Sequence, residues 1–249
     1  MKIKVITIDL WNTLFDSSNG TKRNAYRQHA LLNEIEKMNI QLPPDDYNNA
    51  LKASWEFFNN IWLNNQRTPD TIEMIEFFWS YLKLPYNRES IENVAYHFQI
   101  SVFEHPPKLI GGVQESLEIL SQKYKLGLIS DTGFTPGSLL IKLMQNFGIF
   151  DYFSAFSFSD ETGVSKPNKK AYLTILNKFA VNPEEAVHIG DIEKTDIKGA
   201  KELGMNAIRF SGDPTAVMNK DNSKTTMADF EVSHWNDVVK CIEILNNQE

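Results

Sequence analysis

Five short apolar runs constrain this chain most: Val5–Leu10, Leu126–Ser130, Ala155–Ser159, Ala186–Ile189 and Ala207–Phe210. Each is strand-length and apolar almost throughout, as strands buried on both faces of a parallel sheet are. Parallel strands need long crossovers, and helical patterns lie where crossovers would fall. They cover Val113–Lys123, Pro136–Phe147, Lys169–Phe179 and Asp196–Leu203, with His234–Leu245 as a last amphipathic helix. Gly112 and Gly204 mark a helix start and a helix stop. The fold class predicted is α/β, built on a parallel-sheet core.

Residues 16–106 break this rhythm. They hold no clear β run and are dense in aromatics, with Trp55, Phe58 and Trp62 following the helical period, as do Ile72, Ile75, Phe78, Trp79 and Leu82. Pro43-Pro44, Pro69, Pro85 and Pro106-Pro107 divide the stretch into several helices. The expectation is a core formed by residues 1–15 and 107–249, with a smaller all-helical module, residues 16–106, inserted after the first strand. Its aromatic stripes are expected to be mostly its own core.

With 249 residues and 42% hydrophobic side chains, the chain can bury a full core. It has no apolar stretch of membrane-spanning length and no secretory leader pattern, so a cytoplasmic protein without a membrane partner is expected. Net charge is −7 and acids outnumber bases both in residues 16–106 and outside them, so no nucleic-acid partner is expected. The single cysteine, Cys241, reads as a small buried side chain.

Polar residues recur at the C-terminal ends of the apolar runs, where ligands collect in open parallel sheets. Asp9 opens Asp9-Leu10-Trp11-Asn12-Thr13. A free carboxylate there can attack phosphorus if a cation offsets the charge, although Asp9 alone also reads as a turn residue. Thr13 and the N–H groups of Trp11, Asn12 and Thr13 are placed to hold anionic oxygens. Ser130-Asp131-Thr132-Gly133 ends the second run and offers a hydroxyl donor. Lys166 precedes Pro167, which favours an extended backbone at the lysine. Aimed inward, it binds a transferring phosphoryl group; aimed outward, it is a solvated lysine before a helix. Asp191 ends His188-Ile189-Gly190-Asp191 and can ligate Mg²⁺ directly. Asp196 can support through water, orient the loop or cap the next helix, Glu193 is a reserve ligand, and His188 reads as a hydrogen-bonded core or rim residue.

In order and spacing, Asp9-Leu10-Trp11-Asn12-Thr13, Ile129-Ser130-Asp131, Lys166-Pro167 and Gly190-Asp191-Ile192-Glu193-Lys194-Thr195-Asp196 resemble the motifs of the haloacid dehalogenase-like hydrolases. The resemblance covers essentially the whole chain. It implies a Rossmann-like core with a helical cap domain over the catalytic sheet edge. Asp9 would then be the nucleophile and Lys166 the neutralising cation. Trp11, Asn12, Thr13, Ser130 and Asp131 would line the phosphate and substrate site. Asp9, the Trp11 carbonyl and Asp191 would hold Mg²⁺, with Asp196 supporting. The implied activity is a phosphatase acting on a small phosphorylated or otherwise anionic substrate through an aspartyl phosphate, in a monomer or homodimer.

Trp11 departs from the phosphatase pattern, which carries a general acid/base aspartate two residues after the nucleophile. Indole can neither protonate a leaving alcohol nor activate water. Asp131, Asp160 and Glu161 are then candidates for the missing base. Asn12 also replaces a usual glycine. Family members that cleave carbon–halogen bonds have an aromatic residue at the Trp11 position and a tyrosine matching Tyr172, and Arg23 or Arg27 would suit a haloacid carboxylate. They have serine where this chain keeps Asp191. A weakly catalytic or non-catalytic protein that binds phosphometabolites or a protein partner is the third reading.

Overall fold

A computed structural model of the protein describes residues 2–216 and 225–247; the remaining positions of the expected core range lie outside the described residues. Strands β1 (Val5–Ile8), β2 (Lys125–Ser130), β3 (Phe153–Phe158), β4 (Ala186–Gly190), β5 (Asn206–Phe210) and β6 (Phe230–Val232) form one sheet in the order β3-β2-β1-β4-β5-β6. Every pairing is parallel. β1 is buried at all four positions, because helices cover both faces of the sheet.

Alternation along the strands decides the two faces. Ile6, Ile8, Leu126, Leu128, Val187 and Ile189 pack with α5 (Val113–Ser121), α6 (Gly137–Asn146) and α10 (Trp235–Asn247). Val5, Ile129 and Ala207 pack on the opposite side with α8 (Lys169–Phe179) and α9 (Lys198–Leu203). The result is the expected α/β, Rossmann-like architecture. β6 was not foreseen: its three residues are half-buried or exposed, so no apolar run betrays it.

Between β1 and α5 the chain forms α1 (Gly20–Lys37), α2 (Pro44–Asn65), α3 (Thr71–Tyr81) and α4 (Arg88–Glu104). These helices share a separate hydrophobic cluster that includes Leu31, Ala50, Met74, Ile75, Phe78, Val94 and Phe98. Pro43 precedes α2, which has proline in its first turn where the missing N–H has no helical partner, and Asp70 caps α3 through the Glu73 N–H. Aromatics divide between core and surface, with Phe78 and Phe98 buried but Trp55 and Tyr96 exposed. No helix among the described residues is long and apolar enough to cross a membrane.

Candidate active site

Register brings the candidate residues to one rim. Ile8 pairs with Leu128 on one side and Ile189 on the other, so the chain leaves β1, β2 and β4 at the same sheet edge. Asp9, Ser130 and Asp191 are delivered there, and all three are buried. A side chain at Gly190 would land on the Asp196 carboxyl, so glycine lets β4 pass beneath that group.

Lys166 enters from the loop before α8. Its Nζ donates to Asp9 Oδ1 and to Asp196 Oδ1, the latter at 2.6 Å. Burial alone would lower the ammonium pKa, but Asp196 and Asp9 outweigh it and hold the group well above its ordinary value. Lys166 is 2% exposed, which removes the solvent-facing alternative. Burial pushes the Asp9 carboxyl up to about 7 despite the opposing lysine.

Asp196 is not a helix cap. It lies in a π-helical turn, Glu193–Ile197, and the N-cap position of α9 is Ile197. Its Oδ1 accepts from Lys166 and from His188 Nε2 (3.0 Å), and its Oδ2 accepts from the Ile192 N–H (3.1 Å). Burial would raise this carboxyl, yet Lys166 and His188 hold it below the usual carboxylate range. Burial holds His188 below its ordinary value; its Nε2 lies 3.0 Å from Asp196 Oδ1 and its Nδ1 2.9 Å from Thr7 Oγ1, contacts that a neutral ring carrying its proton on Nε2 satisfies. Tyr172 Oη donates to the carbonyls of Thr195 and Asp196 (2.8 and 3.1 Å), so it braces this turn.

Asp191 stands apart from the lysine's two partners. Burial, followed by repulsion from Asp9 and Asp196, raises its carboxyl well above the ordinary range. Its Oδ2 accepts from Asn12 Nδ2 at 3.3 Å. Two neighbouring buried carboxyls, Asp9 and Asp191, with one lysine on Asp9 among the described residues form an oxygen-rich setting that fits a hard divalent cation. No group of three His, Cys, Asp or Glu side chains among the described residues is arranged to hold a metal alone. Magnesium ordinarily takes one or two carboxylates and completes its shell with other oxygens, so the donor set is adequate.

The turn after β1 shows why Asn12 is tolerated. Its φ is 58°, in the left-handed region, which asparagine enters more readily than most residues. Its N–H donates to the Phe15 carbonyl (2.7 Å), so it drops out of the expected anion cradle. The buried hydroxyls of Thr13 and Ser130 lack a hydrogen-bond partner, as donors awaiting an anion would. Asp131 accepts the Lys166 N–H at Oδ1 (3.0 Å) and the Trp62 indole N–H at Oδ2 (2.8 Å), and burial pushes its carboxyl up to about 6.

Several candidates fall elsewhere. Glu193 accepts from Thr226 Oγ1 (2.6 Å) and the Met227 N–H (2.8 Å) instead of joining the two aspartates. Asp160 accepts the Gly137 N–H at the start of α6, and Glu161 is exposed. Arg23 donates to the carbonyls of Ser18 and His105, on the two connections between the helical segment and the sheet. Arg27 donates to Ser101 Oγ and stacks over Phe134 at 4.7 Å. Trp62 was missed as a site neighbour because its helical spacing gives it only a core reading.

Known proteins similar to this chain bear two kinds of name. The family model for haloacid dehalogenase-like hydrolases matches residues 3–204. The glyceraldehyde 3-phosphate phosphatase of Pyrococcus furiosus is 26% identical over 248 residues, covering 100% of this chain and 96% of that protein. Among solved structures, the 2-haloacid dehalogenase of Pseudomonas syringae superposes with a TM-score of 0.69 at 21% identity, over 97% of this chain and 99% of that one. A HAD phosphatase from Thermococcus onnurineus gives 0.65 at 21% identity, over 96% and 98%. The fold therefore does not separate the two chemistries. That family model covers most of the chain: the chain belongs to the haloacid dehalogenase-like hydrolases and is an enzyme of that family.

Proposed function

We propose that the chain is a Mg²⁺-dependent phosphoric monoester hydrolase that acts on a small phosphorylated metabolite through an aspartyl phosphate on Asp9. The observation that carries this reading is the buried rim where Lys166 bridges Asp9 and Asp196, with the buried Asp191 carboxyl raised by burial and by repulsion from both. The name of the Pyrococcus furiosus relative supports the same class.

In this mechanism an oxygen of the Asp9 carboxylate attacks phosphorus and the ester oxygen leaves, taking its proton from solvent. Water then attacks the phosphorus of the aspartyl phosphate, which releases inorganic phosphate and restores the Asp9 carboxylate. The Lys166 ammonium and the hydroxyls of Ser130 and Thr13 receive the charge on the phosphoryl oxygens. Asp9, Asp191 and the Trp11 carbonyl would hold the ion, which when bound draws the anionic nucleophile and phosphate together. Asp196, engaged by Lys166, His188 and a backbone N–H, orients the lysine. Residues 16–106 serve as a cap that excludes bulk water and selects the organic portion. Trp11 supplies no proton, so esters with acidic leaving groups react fastest.

Carbon–halogen cleavage has Trp11 in its favour, since halide departs without a proton. Asp191 counts against it, because its carboxylate would face an anionic haloacid. The deciding assay is phosphate release from p-nitrophenyl phosphate with Mg²⁺. Turnover that falls by about 10³-fold or more in Asp9→Asn supports the proposal. Halide release from 2-haloacids without metal, and no phosphate release, transfers the assignment to the competitor.

A further inference from the structure

The end of α2 holds both loops that carry the lysine and its aspartate neighbour. Trp62, 7% exposed, donates its indole N–H to Asp131 Oδ2 at 2.8 Å, while Asp131 Oδ1 accepts the Lys166 N–H at 3.0 Å. Just past α2, the Gln66 carbonyl accepts the Ser165 N–H (2.7 Å), and its Oε1 accepts from Asn168 Nδ2 (3.0 Å). Gln66 has a left-handed φ of 50°, which turns the chain away from the helix at this point. Thr68 Oγ1 lies 2.6 Å from Ser159 Oγ, which accepts the Thr132 N–H at 2.8 Å. The segment from Trp62 to Thr68 thus fastens the Asp131 loop, the Ser159 turn and both flanks of Lys166.

Trp62 is the member of this set with a direct electrostatic consequence. Asp131 accepts the backbone N–H of Lys166, whose ammonium is the cation on Asp9 and Asp196. Asp131 takes the Trp62 indole N–H at Oδ2 and the Lys166 backbone N–H at Oδ1, so the indole fixes the carboxylate that holds the lysine's own backbone. Without the indole N–H, Asp131 Oδ2 loses its donor and the carboxylate is free to turn, which loosens its hold on the Lys166 N–H.

We infer that Trp62 is a positioning residue for the reaction: through Asp131, which accepts the Lys166 backbone N–H, it fixes the loop that directs the Lys166 ammonium at Asp9. The inference rests on the phosphatase reading above and deepens it.

The test compares steady-state kinetics of the full-length protein on p-nitrophenyl phosphate with Mg²⁺. Trp62→Phe keeps an aromatic ring and removes the donor; kcat is expected to fall ten- to a hundredfold, on the order of what misplacing a catalytic group costs, with KM changed less than about threefold. Replacing Trp62 by 3-benzothienylalanine, which keeps the bicyclic shape without the N–H, is expected to reproduce the loss even if the phenylalanine variant fails to fold. Trp62→Phe combined with Asp131→Asn is expected to be no slower than Asp131→Asn alone, because both changes act through one carboxylate. An unchanged kcat with a raised KM would make Trp62 a pocket wall and overturn the inference, as would losses that multiply in the double variant. A wild-type protein with no turnover defeats the phosphatase reading and this inference together. An active wild type with unaffected Trp62 variants defeats the inference alone.

Discussion

The indole of Trp11 packs against Phe15 with ring centroids 6.3 Å apart, and the Arg23 guanidinium lies 5.9 Å from its ring centre. The residue is thus held between the core and α1, where a phosphatase would carry its general acid. Under the proposed chemistry, Trp11→Asp restores a group that can protonate a leaving alkoxide. Phosphate release from an alkyl ester such as glycerol phosphate is expected to rise by about tenfold or more, part of the 10²–10⁴-fold that general acids ordinarily contribute. Release from p-nitrophenyl phosphate, whose leaving group needs no proton, is expected to gain less. An inert Trp11→Asp variant on both esters would show that the indole acts by shape and not by the absence of an acid.

At the scale of elements, the last helix reaches back to the first loop. Trp235, at the start of α10, is fully buried and donates its indole N–H to the Thr13 carbonyl at 2.9 Å. Trp235→Phe leaves that buried carbonyl without its donor and is expected to cost about 1–3 kcal/mol, read as a lower urea midpoint at unchanged m-value. Unchanged stability would mean that the loop after β1 holds its shape without α10. The apolar runs made β1 to β5 legible because parallel strands buried on two faces have little choice of residue. The π-helical turn at Glu193–Ile197 was not legible, since its shape follows from Asp196 reaching Lys166 and His188.

For the whole molecule, burial of acids makes stability depend on pH in an unusual direction. Burial raises the folded-state carboxyls of Asp9, to about 7, and Asp131, to about 6, above their ordinary value of 3.8. Between about pH 4 and 7 the folded protein therefore binds more protons than the unfolded chain at these two sites, and their contribution to stability falls as pH rises. Without metal, Tm is expected to decline through this window, and Asp131→Asn is expected to make the decline shallower. Mg²⁺ is expected to reduce it as well, by favouring ionised Asp9. A Tm that climbs steadily from pH 4 to 7 and ignores both changes would show that these carboxyls are ionised in the folded protein at little cost.

The alternation of strands and helices, the β-free stretch between β1 and α5, and the order in which Asp9, Ser130, Lys166 and Asp191 arrive are all legible in the amino-acid order. These depend on local periodicity and on short motifs, which survive in one dimension. Only the folded chain fixes that Lys166 points inward, that Asp196 serves the lysine, and that Trp62 meets Asp131, 69 residues further along the chain. Each of those outcomes depends on which donor a buried charge can reach, and that is fixed only when the strand ends and the helices close around the same rim.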